Sequence, residues 1–106
     1  MKLKPLDFNV FSNALNSGVV KKRNQNLAKK LLPHVYGFIA DAEYPNNWNK
    51  RYLRKKLYRG ALKDEVILSV YKEEFASGFL VSWILWPLFK MLILFIINHV
   101  IDNYLE

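Results

Sequence analysis

Apolar residues are spread unevenly along this chain, and their densest run lies near its C-terminal end. Across residues 79–97 only Ser82, Pro87 and Lys90 are not apolar, and across residues 75–101 the one formal charge is Lys90. A helix on the surface of a soluble domain keeps a polar stripe, and this stretch has none. Its 27 residues would extend about 40 Å as a helix, more than the roughly 30 Å of a bilayer's hydrocarbon core. Lysine at the centre of a span costs roughly 2.5–3.5 kcal/mol, and each Leu, Ile, Phe or Val returns roughly 0.3–0.6. More than a dozen such residues surround Lys90, so the pattern predicts a transmembrane-type helix over 75–101, kinked at Pro87. Trp83 and Trp86 are expected at one membrane interface and Tyr104 at the other, 18 to 21 residues away. Lys90 would then be an intramembrane charge that snorkels toward the Trp side or meets a partner's acid or a lipid phosphate.

Upstream the periodicity is helical. Phe8, Phe11 and Leu15 share a face behind Asp7, a candidate N-cap, and Ser17-Gly18 marks a stop. Leu27, Ala28, Leu31, Leu32, Val35, Tyr36, Ile39 and Ala40 repeat as pairs four residues apart, the strongest amphipathic signal in the chain. Pro33 lies inside that run and predicts a kink near Lys30 or a fresh helix start. The segment 43–47 reads as a turn, with Asn47 as the next candidate cap. Leu53 and Leu57 form a narrow apolar edge on a helix too basic to be expected in a core, and Gly60 suggests a stop or bend. Val66, Ile67, Val70 and Tyr71 pair on one face of a further helix, expected to run on toward the apolar stretch past a weak point at Ser77-Gly78. Period-two alternation is absent, so no strand is expected. The expected fold is all-α: two or three short amphipathic or basic helices, then one long C-terminal helix. The division is a basic extramembrane segment (1–74), the span (75–101) and a short acidic tail (102–106).

Charge sharpens this division. The first 74 residues hold 15 of the 16 Lys and Arg and 7 of the 9 acids, while the whole chain carries +7. Basic residues stay on the side from which a helix inserts, so the N-terminal segment is expected on the cytoplasmic or matrix side, the mitochondrial inner membrane being one such setting. Two clusters concentrate the charge: Lys21, Lys22 and Arg23 in one, and Lys50, Arg51, Arg54, Lys55, Lys56 and Arg59 in the other. Anionic lipid headgroups or neighbouring subunits are the expected partners. Nucleic acid ranks behind them, since Trp48, Tyr52 and Tyr58 among basic residues suit a bilayer interface as well as base stacking.

Candidate chemistry is sparse. No Cys is present, so disulfides, thiolate zinc sites and iron–sulfur clusters are excluded. Four Gly make no phosphate loop, and two His, His34 and His99, make a His-based metal site improbable. The acids fall as neighbours, Asp64-Glu65 and Glu73-Glu74, which point in different directions on a helix and make no acid–base pair. No catalytic residue, cofactor or metal is expected.

The tripeptide Leu57-Tyr58-Arg59 resembles the signature of the LYR-motif proteins, small helical mitochondrial factors that engage an acyl carrier protein. The likeness covers three residues. In that family the motif opens the first helix, whereas here two predicted helices precede it, so no function is carried across. The expected role is a non-catalytic, single-pass accessory subunit of a larger membrane complex, a respiratory-type assembly being the favoured kind, that stabilises neighbouring subunits and lipid. The alternative is a viral structural protein, membrane-associated or internal to the virion, whose basic arm contacts genome or capsid.

Overall fold

The described residues form helices α1 (Phe8–Leu15), α2 (Gln25–Asp41), α3 (Lys50–Ala61), α4 (Glu65–Glu74) and α5 (Phe79–Tyr104), with a 3₁₀ turn, Lys22–Asn24, leading into α2. The computed structural model describes all residues except Val19, Asn46 and 75–78, and for residues 79–84 the helical backbone alone. No strand occurs among the described residues, whose only bridge pairs Leu3 with Leu105. Among the described residues four α-helices precede the long one, more than the two or three expected.

α1, α3 and α4 each begin where the sequence supplies a side-chain acceptor, whereas α2 starts after Asn24 without a side-chain cap. The Asp7 carboxylate takes the Asn9 N–H at 2.9 Å. Asn49, two residues beyond the expected Asn47, caps α3 by accepting from the Tyr52 N–H at 2.8 Å. Asp64 accepts from the Ile67 N–H at 3.0 Å, which separates α4 from α3. Gly60 does not end α3, which runs on to Ala61. A Cβ there would stand 2.8 Å from the Phe38 ring, so glycine lets α3 approach α2 closely. Gly18, at φ 95°, closes the turn after α1, a conformation that costs glycine little. α2 runs unbroken through Pro33, and α5 through Pro87. The missing proline N–H leaves one carbonyl of the preceding turn without its helical partner in each case. The expected weak point at Ser77-Gly78 lies outside the described residues.

The centre of the fold is α5. Phe89, Leu92, Ile93, Ile96, Ile97, Val100, Ile101 and Tyr104 are all 3% exposed or less, and they recur at the 3, 4, 7, 8 spacing of one helix flank. Around them close Leu27, Leu31, Leu32, Val35 and Ile39 from α2, Leu53, Leu57 and Ala61 from α3, Ile67 and Tyr71 from α4, and Phe11 and Leu15 from α1. The strongly basic α3 therefore does enter the core, because its narrow edge of Leu53, Leu57 and Ala61 suffices to cover α5 while its charges face outward. Twenty-six residues make α5 about 39 Å long at 1.5 Å each, so this helix alone accounts for most of the 43 Å long axis of the molecule.

Both ends of the chain meet at the C-terminal end of α5. The Lys4 N–H donates to the Tyr104 carbonyl at 2.7 Å, and the Glu106 N–H to the Lys2 carbonyl at 3.2 Å. The Met1 ammonium donates to the carbonyls of Ala40 and Ala42 at 2.7 and 2.8 Å, where α2 ends. Cations are favoured beside these free C-terminal carbonyls.

Candidate interaction surface

The outer flank of α5 differs from an ordinary solvent face. Pro87, Met91, Leu94, Asn98 and Asp102 follow one another along a single ridge at i, i+4, i+7, i+11 and i+15. Met91 is 44% exposed and Leu94 42%, with Leu88 and Phe95 half-buried beside them. The ridge is thus apolar over its N-terminal half and polar at its end. Lys90 is half-buried next to it and forms no ion pair among the described residues. α1 borders this flank where Phe11 meets Phe95, their ring centroids 6.1 Å apart, and α1 adds the exposed side chains of Phe8 and Val10.

One helix, over Leu85–Tyr104, is long and apolar enough to cross a membrane by length and composition. Its inner flank is the bundle core just described, as in the central helix of a soluble bundle. The three aromatic residues expected at membrane interfaces fare differently. Trp86 is half-buried, its ring 5.5 Å from Tyr71 and 5.3 Å from Phe89. Tyr104 is 3% exposed. Its hydroxyl donates to the Asp7 carbonyl at 2.9 Å and accepts from the Asp7 N–H at 3.2 Å. It fastens the start of α1 rather than facing outward. The side chain of Trp83 lies outside the described residues.

The basic clusters stay apart. Lys21, Lys22 and Arg23 precede the first turn of α2, whereas α3 begins beyond its last, and α2 is about 25 Å long. Lys50, Arg51, Lys55 and Arg59 are exposed. Arg54 reaches across to the Asp102 carboxylate on α5, and Lys56 lies 5.5 Å above the Tyr52 ring. Sequence reasoning grouped all six as one binding set, and the structure assigns two of them to internal contacts. Lys30 is likewise engaged, 3.0 Å from Glu74.

The aromatic residues near α3 stack on each other. Tyr44 and Trp48 are stacked at 4.9 Å, and Trp48 meets Tyr52 edge to face at 4.7 Å. Trp48 is thus engaged by rings on both sides, while Tyr52 stays 42% exposed beside the exposed Lys and Arg of α3. Beside them a groove of about 690 Å³ is lined by Lys2, Lys50, Glu43, Glu106, Tyr44 and Trp48 among others, a mixed-charge surface with no net preference for anions. Among the described residues no three His, Asp or Glu side chains converge on a point where a metal ion could sit.

Comparison with protein-family models, with curated proteins and with solved structures finds no match.

Proposed function

We propose that this chain is a non-catalytic accessory subunit of a membrane protein assembly, attached to the membrane through α5. The observation that carries this reading is the apolar outer flank of α5, where Pro87, Met91 and Leu94 are exposed on a helix whose other flank already fills the core. A bundle helix facing only water places polar side chains there, and adjoining exposed apolar residues mark a contact surface. The sequence of residues 79–86 continues the apolar character without a charge. Seven exposed cations, from Lys21, Lys22, Arg23, Lys50, Arg51, Lys55 and Arg59, would each add about 1 kcal/mol near anionic headgroups.

Energetics favour attachment from one face over a full crossing. α3 lies along the C-terminal half of α5. Carrying Lys50, Arg51, Lys55 and Arg59 to the bilayer centre would cost roughly 10–14 kcal/mol, and the few outward apolar residues of that half return only about 1–2. A crossing with the basic segment on one side and the tail on the other would also part the joined chain ends. In the proposed arrangement the N-terminal end of α5 enters the apolar layer, and its C-terminal half stays within the bundle at the water's edge.

The chain has no cysteine, so single cysteines report its topology cleanly. In sealed membranes from the native source, Ser17→Cys and Glu106→Cys should react with an impermeant thiol reagent from the same side. The chain should remain with the membrane in high salt and migrate on a mild-detergent native gel far above its 12.5 kDa. Labelling from opposite sides would restore the crossing. Recovery as a free soluble monomer would end the membrane reading and turn attention to nucleic acid or capsid.

A further inference from the structure

A histidine stands inside the bundle, where α1 closes over α5. His99 is 6% exposed. One turn on, the Asn103 amide donates to the His99 carbonyl at 2.9 Å, and the same nitrogen lies 3.2 Å from the ring Nδ1. The neutral tautomer that fits this amide nitrogen accepts at Nδ1 and carries its proton on Nε2. Nε2 is buried with no hydrogen-bond partner. The ring meets Phe11 of α1 near-perpendicularly at 5.0 Å and Tyr104 at 5.5 Å.

α1 is held lightly. Its buried side chains are Phe11 and Leu15. The Asp7 backbone adds the Tyr104 hydroxyl, and the Leu15 carbonyl accepts from Gln25 Nε2 at 3.3 Å. We infer that His99 is a proton-operated latch on α1: neutral, it lets Phe11 seal against α5, and protonated, it releases the helix. An imidazolium carries a donor at each nitrogen. Its Nδ1–H would oppose the Asn103 amide N–H, and its charge would be held in a buried pocket with no acceptor for Nε2.

The surrounding charges do little to compensate. Asp102 on α5 favours the charged form, but Arg54 of α3 is bound to it. Asp7, at the start of α1, turns its carboxylate to its own helix. Tyr36 of α2 meets Tyr104 edge to face, and neither side chain brings an acidic or basic partner to the His99 ring. Burial accordingly holds the His99 pKa below its ordinary value, with Asp102 offsetting part of the effect. When α1 lifts away, water reaches the ring and the pKa returns toward about 6.5. The open form therefore binds the proton more tightly. The closed form is fully favoured above that pH and loses ground as the pH falls through the depressed value. Release uncovers Phe11 and Phe95 beside the already exposed Phe8, Val10, Met91 and Leu94, which enlarges the apolar flank. The latch does not depend on what that flank meets.

Segment-resolved hydrogen exchange on the full chain tests this at about pH 7.5 and about pH 5, after correction for intrinsic exchange. The expected result is a several-fold loss of protection confined to α1 at the lower pH. The pH response should be absent in His99→Gln and retained in His34→Gln, whose histidine is exposed. Equal protection of α1 at both pH values overturns the latch, as does an acid response that survives His99→Gln. Loss of protection spread evenly over α2 to α4 also overturns it, because that is general acid destabilisation. Should His99→Gln fail to fold, His99→Asn takes its place, and the unsubstituted chain alone still separates a response confined to α1 from no response and from general acid destabilisation.

Discussion

Two adjacent residues of α5 distinguish a helix packed on one side from a helix surrounded by lipid. Ile93 is 0% exposed and Leu94 is 42% exposed. Ile93→Ala removes three carbons from full burial, about 2.4 kcal/mol at 0.8 per carbon. The cavity left among the side chains of the core adds to this, so the total falls near 3 kcal/mol within the 2–5 expected for such truncations. Leu94→Ala removes as many carbons from a site little more than half buried, and its outer side leaves no enclosed cavity, so the loss is about 1 kcal/mol. For a domain of this size each kcal/mol moves the melting temperature by roughly 4–8 °C. Ile93→Ala should therefore melt roughly 8–16 °C below Leu94→Ala when both full chains are followed by far-ultraviolet circular dichroism in the same detergent. A lone span would treat the two positions alike. Equal melting temperatures, or a larger drop for Leu94→Ala, would refute the packing of α5 described above and the one-face attachment built on it.

Gly37 lies inside α2 with open space where a Cβ would stand, so Gly37→Ala should stabilise the protein by about 0.5–1 kcal/mol in urea unfolding. Gly60→Ala should instead destabilise it by about 1 kcal/mol, because the Phe38 ring must shift and overpacking outweighs the gain in helix propensity. Asp64→Ala should cost about 1 kcal/mol through loss of the cap on the Ile67 N–H, and Asp64→Asn should keep most of it. The partly exposed Arg54–Asp102 pair should show a coupling below about 1 kcal/mol in a double-mutant cycle of Arg54→Gln with Asp102→Asn. Replacing Lys50, Arg51, Lys55 and Arg59 together by Gln should weaken binding to phosphatidylserine vesicles by up to about 4 kcal/mol at low salt, with little effect when Arg54 alone is changed.

Helix identity was legible wherever apolar periodicity and a capping residue coincide. The six buried positions of α2 all belong to the paired pattern seen in the sequence, and Asp7 caps α1 where its side chain predicts. Burial was harder to read where only two or three residues carry it. In α3 the six Lys and Arg dominate the composition, yet Leu53, Leu57 and Ala61 seat it on α5. In α5 the difficulty is the reverse. When both flanks are apolar, no polarity contrast marks which one faces the core, and only the partner helices settle it. Tyr104 shows the limit for single residues: an aromatic with a hydroxyl suits an interface, but here its partner is the backbone of Asp7, 97 positions away in the chain. His99 carried no sequence signal beyond lying one turn from Asn103. Its character comes from Phe11, a contact that only the tertiary fold supplies.

The helix that fills the core is synthesised after the helices that pack against it. When residue 74 has been added, α1 to α4 are complete in sequence, but the stripe they all cover does not yet exist, and the 32 residues 75–106 that carry it are still to come. At about 5–20 residues per second that interval lasts roughly 2–6 seconds, long compared with the microseconds in which helices form and collapse. During it the apolar edges of α2 and α3 have no α5 to cover. The heavy excess of Lys and Arg in the same segment keeps such nascent chains apart by mutual repulsion. The charge that a mature protein could present to a surface would thus serve first as protection for a fold awaiting its centre.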